Sequence, residues 1–254
     1  MTVDRSLYAT SFDTLPDWPC PTCGKGHLKS DKDTLLNKET GPSKAAHAHD
    51  AWDPEWIDRR FAGLLECNFG NCGELVAILG DVSIVEGYGY DESTGEPTQE
   101  YSERFKPRCL SPAPLPIRPP VETPELVQSA LREAAALIWQ SAEGAANQVR
   151  QAVEHLMDEQ GVTKSNPGAF LSLHNRIKEF EAKDPKNAEI LLAVKWLGNS
   201  GSHAGGLTRD DVFDAFNMVE LALVNLYDTT TADIMAKVKA INTQKGPVKP
   251  PTAV

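Results

Sequence analysis

The sequence predicts an α+β protein: a small β-rich module over residues 1–110, then an all-α antiparallel helical bundle over residues 124–243. Three observations carry this. Four cysteines fall in two close pairs within the first third. Apolar residues around the second pair run and alternate as they do in strands, and beyond residue 123 their spacing switches to the helical period. Residues 111–123 hold so many prolines that they read as a stiff, extended linker between the two parts, and residues 244–254 read as a flexible tail.

The cysteines come first in the argument. Cys20 and Cys23 sit in Cys-Pro-Thr-Cys-Gly, and Cys67 and Cys72 in Cys-Asn-Phe-Gly-Asn-Cys-Gly. Two close pairs, each followed by glycine, form the pattern of two knuckles gripping one Zn²⁺. Glycine, with no Cβ, lets each knuckle turn backbone N–H groups toward the thiolates at least cost. Four thiolate ligands leave no open position for catalysis, so the zinc expected here is structural. His27 is a spare imidazole beside the first pair, and Cys109 is an unpaired, half-buried residue without chemistry. His47 and His49, next to Asp50, read as solvated histidines of a polar loop, with a second metal site as the sharper alternative.

Within the module, residues 1–19 are a lead segment with aromatic anchors Tyr8, Phe12 and Trp18. Residues 28–50 are polar and read as a loop or short helix between the knuckles. Trp52, Trp56 and Phe61 are placed against the metal site. Strands are expected within 61–80, over 82–88 and over 101–110, with 87–98 as a turn-rich hairpin or loop. Strands this short enclose a small core, so the metal is expected to supply much of the module's stability.

The bundle begins with Thr123 as N-cap and Pro124 at the first helical position. A second helix covers about 145–159 and stops at Gly161. A third covers about 169–182, with His174, Asn175 and Arg176 on its solvated side. Asp184-Pro185 opens a fourth, which ends in the glycine-rich stretch after Asn199. Thr208 and Asp211 form a capping box for the fifth, and a last helix runs from about Thr230 to Ile241. The apolar faces of these helices suffice for an independent core. Trp139 and Trp196 read as core or dimer-face residues.

Bulk composition narrows the function. The 254 residues carry a net charge of −11, which argues against a chain-wide nucleic-acid footprint and leaves room only for a local basic patch. No apolar run is long enough to cross a membrane as a helix. The first residues lack the layout of a secretory signal, which predicts a cytoplasmic protein in a reducing compartment where thiolates bind zinc rather than pair as disulfides.

Five stretches together resemble a known pattern: Trp18-Pro-Cys-Pro-Thr-Cys-Gly; Cys67 to Gly73; the linker from Phe105-Lys-Pro to Ile-Arg-Pro-Pro; Ala145-Ala-Asn-Gln-Val-Arg150-Gln-Ala-Val-Glu154; and Leu197-Gly-Asn199-Ser-Gly-Ser-His203-Ala. They resemble a bacterial family of unknown function that carries a zinc-ribbon-like module before a helical domain. That domain also occurs fused to type I restriction-enzyme subunits and is similar to the HEPN superfamily. The resemblance implies a defence-associated protein, a homodimer that binds RNA, DNA or a partner protein. It also implies, for active members, metal-independent RNA cleavage by an Arg-x-x-x-x-His motif. Here Gly198 stands where that arginine would be. On this reading His203 is the acid/base and Asn199, one turn earlier, orients the phosphate. Lys195, or Arg150 with its neighbour Glu154, stands in for the missing cation. The competing expectation is a non-catalytic dimerising protein-interaction module.

Overall fold

The computed structural model describes residues 3–247, apart from 32, 92, 163, 167–168 and 201–205. The chain folds as a curled antiparallel sheet followed by a helical region. The sheet strands are β1 (Leu28–Ser30), β2 (Leu36–Glu39), β3 (Asp58–Cys67), β4 (Leu75–Tyr90) and β5 (Pro97–Ser111). β1 and β2 both pair with β3, β4 lies on the far side of β3, and β5 lies beyond β4. Alternation decides the buried face: Phe61, Leu65 and Cys67 of β3 and Val76, Ile78 and Val82 of β4 point inward. The β4–β5 register shifts at Leu79/Gly80. Gly80 is required there, because a Cβ would sit 2.3 Å from the Lys106 carbonyl oxygen.

β4 has 16 residues and β5 has 15; of the two readings of 87–98, hairpin or loop, it is the hairpin that forms, and its strands run almost to the tip, longer than expected. The expected short strands and small core are therefore corrected: Trp18, Leu28, Phe61, Leu65, Ile78 and Leu110 are all sealed from solvent. Residues 28–50 are also not simply loop. They supply β1 and β2 before the short helix α1 (Gly41–Ala46).

The helical region holds α2 (Glu125–Leu137), α3 (Ala142–Glu159), α4 (Leu173–Glu181), α5 (Pro185–Ser200), α6 (Arg209–Tyr227) and α7 (Thr230–Gln244). α3 lies at the centre, against α2, α4, α5 and α6. Its buried face is built of Ala145, Ala146, Val149, Ala152 and Val153, whose small side chains let neighbouring helices approach closely. The capping box at α6 is present as expected, with Thr208 accepting from the Asp211 N–H and Asp211 accepting from the Thr208 N–H. Two helix starts differ. Pro124, not Thr123, is the N-cap of α2, and no side chain caps it. α4 begins at Leu173, capped by Ser172, because Ala169–Phe170 instead pairs with Ser165–Asn166.

The lead segment joins the two parts. Tyr8 stacks on Trp139 with ring centroids 5.4 Å apart and tilts against Phe213 at 5.1 Å. Trp18 meets Trp139 edge-on at 6.0 Å and donates its indole N–H to the Leu7 carbonyl at 2.7 Å. Arg5 pairs with Asp210 and Asp214 of α6, and Asn217 accepts from the Val3 N–H. The linker is not free either: Ile117 is buried, and Glu220 of α6 accepts the Arg118 N–H at 2.8 Å.

Candidate metal centre and cationic helix face

Sheet and turn geometry bring the four cysteines together. Cys67 ends β3, where it pairs with Leu28 at the start of β1. Just before β1, the chain from Trp18 to Leu28 doubles back on itself: the Leu28 N–H bonds the Trp18 carbonyl at 2.7 Å and the Cys20 N–H bonds the Gly26 carbonyl at 2.9 Å. This places Cys20 and Cys23 opposite the second pair. Asn68 ties the knuckles together, accepting from the His27 N–H while its own N–H bonds the His27 carbonyl. Gly24 and Gly73, the glycines that follow each pair, have φ of +59° and +63°, the left-handed turn that glycine adopts freely.

The four sulfurs lie within 4.8 Å of one another. Cys20 Sγ and Cys72 Sγ are 3.8 Å apart, and Cys23 Sγ and Cys67 Sγ are 3.7 Å apart. A tetrahedral ion with metal–sulfur bonds of about 2.3 Å sets its sulfurs about 3.8 Å apart. The cluster therefore has the dimensions and the donors to hold one metal ion, consistent with zinc. Gly26 is part of the fit, because a Cβ there would lie 2.5 Å from Cys67 Sγ.

Backbone N–H groups are aimed at the sulfurs. The Gly26 and Lys25 N–H groups, each 3.4 Å from Cys23 Sγ, bring that thiol's pKa down to about 6. At Cys67 the Phe69 N–H works in the same direction, but burial and the three other thiols outweigh it and hold the pKa up at about 12. His47 and His49, read as solvated histidines, are exposed, and neither they nor the aromatics expected beside the metal lie at the cluster. His47 bonds Glu39 at 2.8 Å and leans on Trp52, while His49 leans on Trp56. Phe61 packs edge-on with Phe105. These three aromatics thus make their ring contacts away from the cysteines. Among the described residues the cysteine cluster is the one group of three or more metal-ligating side chains.

A second site lies where α3 crosses α5. Gly198 of α5 is pressed against α3, so that a Cβ there would fall 2.6 Å from Arg150 Cβ and 3.0 Å from the Ala146 carbonyl oxygen. Only glycine permits this approach, and Arg150 fills the space beside it. Arg150 bonds Glu154 at 2.7 Å, and Glu154 also takes Lys164 at 3.1 Å. Burial first, then the charges of Lys164 and Arg150 together with their hydrogen bonds, act on Glu154, and the net result is a lowered pKa. Lys195 comes from the α5 side. Its side chain is 8 % exposed, and its ammonium lies 3.3 Å from the centroid of the Trp196 ring. Burial, and next the charge of Arg150, lower its pKa. Among the described residues it has no carboxylate or hydrogen-bond partner. Asn199 is half-buried on the last turn of α5. His203 lies outside the described residues.

Arg176 departs from the sequence reading. It is 1 % exposed, not solvated, and its guanidinium donates to the Val162 and Glu154 carbonyls and to Asp158. A cation near the C-terminal end of α3 complements the helix dipole, and the Arg176 guanidinium ties α3 to the segment after it through Val162. Of the two tryptophans, Trp139 is buried at the joint between the two parts, while Trp196 is half exposed.

The fold and sites thus define a two-part protein, a sheet with a metal-capable cysteine cluster joined to a helical region with a cationic crossing. Residues 9–110 match a family model described as a domain of unknown function, DUF8608, and residues 132–244 match another described as a domain of unknown function, DUF4145. Neither a curated protein nor a solved structure matches the chain. No helix among the described residues is long and apolar enough to cross a membrane.

Proposed function

We propose that the protein is a zinc-clipped, HEPN-like binder of RNA, acting in defence against foreign nucleic acid, with Arg150 and Lys195 as its phosphate contacts. Zinc at the cysteine cluster serves structure, because four thiolates saturate a tetrahedral ion. The observation that carries the RNA reading is the Lys195 ammonium, which lies over the Trp196 ring within electrostatic reach of Arg150 and has no counter-carboxylate of its own among the described residues. Keeping Lys195 uncompensated in a partly desolvated place, beside Arg150 whose partner Glu154 is shared with Lys164, costs energy that a bound anion removes. The rest of this acidic chain repels a polyanion, so the binding is local and short in footprint. His203, five residues beyond Gly198, is the group that would move a proton if the bound strand is cut, and Asn199 would orient the phosphate.

Binding of a labelled tRNA, read by anisotropy in magnesium-free buffer, tests this. The double variant Arg150→Gln/Lys195→Gln is expected to bind at least about tenfold more weakly, a loss on the order of 1.4 kcal/mol. Lys237→Gln/Lys239→Gln on α7 is expected to bind as the parent does. Equal affinity in all three proteins contradicts the assignment. Loss of strand cleavage in His203→Ala, with binding retained, identifies an enzyme.

A second reading, a non-catalytic dimerising interaction module, is favoured by α7. Its apolar residues Ile234, Met235, Val238 and Ile241 are exposed, and their spacing puts them on one stripe. If two copies pair through this stripe, the parent sediments as a dimer and Val238→Glu/Ile241→Glu as a monomer. A monomeric parent rules it out.

A further inference from the structure

We propose that the free ribbon of the β4–β5 hairpin, with its open β4 edge, docks a basic, extended segment of a partner protein. The pairing of β3 with β4 ends at Asp58 and Ser83, whereas β4 and β5 stay paired out to Tyr90 and Pro97. The last part of the hairpin is thus a two-stranded ribbon. On β4 the Glu86 N–H points away from β5 and is taken by Glu55 at 3.1 Å. Peptide groups alternate along a strand, so Tyr88 and Tyr90 present their N–H groups on the same outer edge. On β5 the outward position opposite Tyr90 is Pro97, which has no N–H to offer at the tip of the ribbon. At the tip, where Tyr90 stands opposite Pro97, β4 is the edge with an N–H to offer an added strand.

One face of the ribbon is aromatic and acidic. Glu86, Tyr88 and Tyr90 of β4 stand opposite Tyr101, Gln99 and Pro97 of β5. Tyr88 is 80 % exposed and Tyr90 is 73 % exposed. Glu86 raises the Tyr88 pKa, first by hydrogen bonding and then by its charge. Burial, followed by the charges of Asp53, Glu86 and Glu55, raises that of Tyr101. From Ile84 to Glu103 the sequence has six carboxylates and no lysine or arginine; of these, Glu86 and the Arg59-paired Glu103 share the face of Tyr88 and Tyr90. A lysine or arginine side chain suits such a face twice over, resting on an aromatic ring and pairing with a carboxylate. A second copy of this chain does not suit it, because it would bring the same carboxylates into contact. This surface lies on β-strands, separate from the proposed phosphate contacts on α3 and α5.

At a net charge of −11 any polycation is attracted, so the test must separate the ribbon from general attraction. The probe is a fluorescent peptide of alternating arginine and threonine, titrated at moderate salt into the full chain. Tyr88→Ser/Tyr90→Ser leaves the charge unchanged and is expected to weaken binding about tenfold, as two lost cation–π contacts imply. Glu86→Gln is expected to weaken it severalfold. Glu133→Gln/Glu179→Gln, which removes two exposed carboxylates from α2 and α4, is expected to change it less than Glu86→Gln does. Affinity that follows total charge alone, with the tyrosine variant binding like the parent, overturns the proposal, as does the absence of binding by the parent. Hydrogen exchange in the parent provides a second reading: bound peptide should slow exchange of the Tyr88 and Tyr90 amides, and unchanged exchange there overturns the edge-strand geometry.

Discussion

Cys67→Ser is expected to remove bound zinc and open the knuckle end of the sheet while leaving the helices folded. Cys67 belongs both to the metal cluster and to the β1–β3 pairing. One ligand lost from a four-thiolate set abolishes tight binding, and a structural zinc contributes on the order of 10 kcal/mol to the elements it closes. The sheet keeps a core of its own around Phe61, Ile78 and Leu110, so the loss is local. Hydrogen exchange should show it: amides in 20–30 and 66–75 lose about a thousandfold or more of their protection, whereas those of α3 and α5 keep theirs. Gly26→Ala is expected to do the same more mildly, because its methyl would press on Cys67 Sγ. Unchanged exchange around the knuckles in Cys67→Ser would mean that the cysteines hold nothing the fold depends on.

Gly198→Arg recreates the Arg-x-x-x-x-His spacing and is nevertheless expected to yield a less stable protein with no gained activity. A side chain at 198 starts 2.6 Å from Arg150 Cβ and 3.0 Å from a backbone carbonyl of α3. Overpacking of this kind costs about 1–3 kcal/mol. Replacing a helical glycine returns about 1 kcal/mol in helix propensity, which is too little to offset it. Gly198→Ala is expected to be destabilised less than Gly198→Arg, since its methyl has no stem to place. Urea denaturation followed by circular dichroism measures both. A Gly198→Arg protein as stable as the parent would show that α3 and α5 are not locked at this contact, and Arg150 would lose its claim to the space.

The sequence showed the cysteine knuckles and the α6 capping box because their chemistry depends on residue type at fixed spacing. Cys20, Cys23, Cys67 and Cys72 need only turn geometry to meet, and Gly24 and Gly73 mark those turns. Arg150 and Glu154 are four residues apart in one helix, so their pairing was local and legible. The missed features are set by tertiary contacts. β2 lies on the outer side of β3 with no side chain fully buried, so its residues look like a polar loop. Gly87 and Gly89 look like turn residues, yet they continue β4; a Cβ at Gly89 would run into the Glu100 carboxylate. Arg176 reads as a surface residue, and only the fold reveals the carbonyls it serves. Tyr8, Phe12 and Trp18 read as anchors, but Trp139, which Tyr8 and Trp18 share, lies more than a hundred residues away and no local pattern links them.

The metal-clip reading of the knuckles rests on one ion held by four sulfurs. X-ray absorption at the zinc edge of the protein as purified tests this directly. The account predicts one zinc per chain, surrounded by four sulfurs at about 2.3 Å and no nitrogen or oxygen. A nitrogen or oxygen ligand in that shell, iron in place of zinc, or a metal-free protein with an intact knuckle would contradict it.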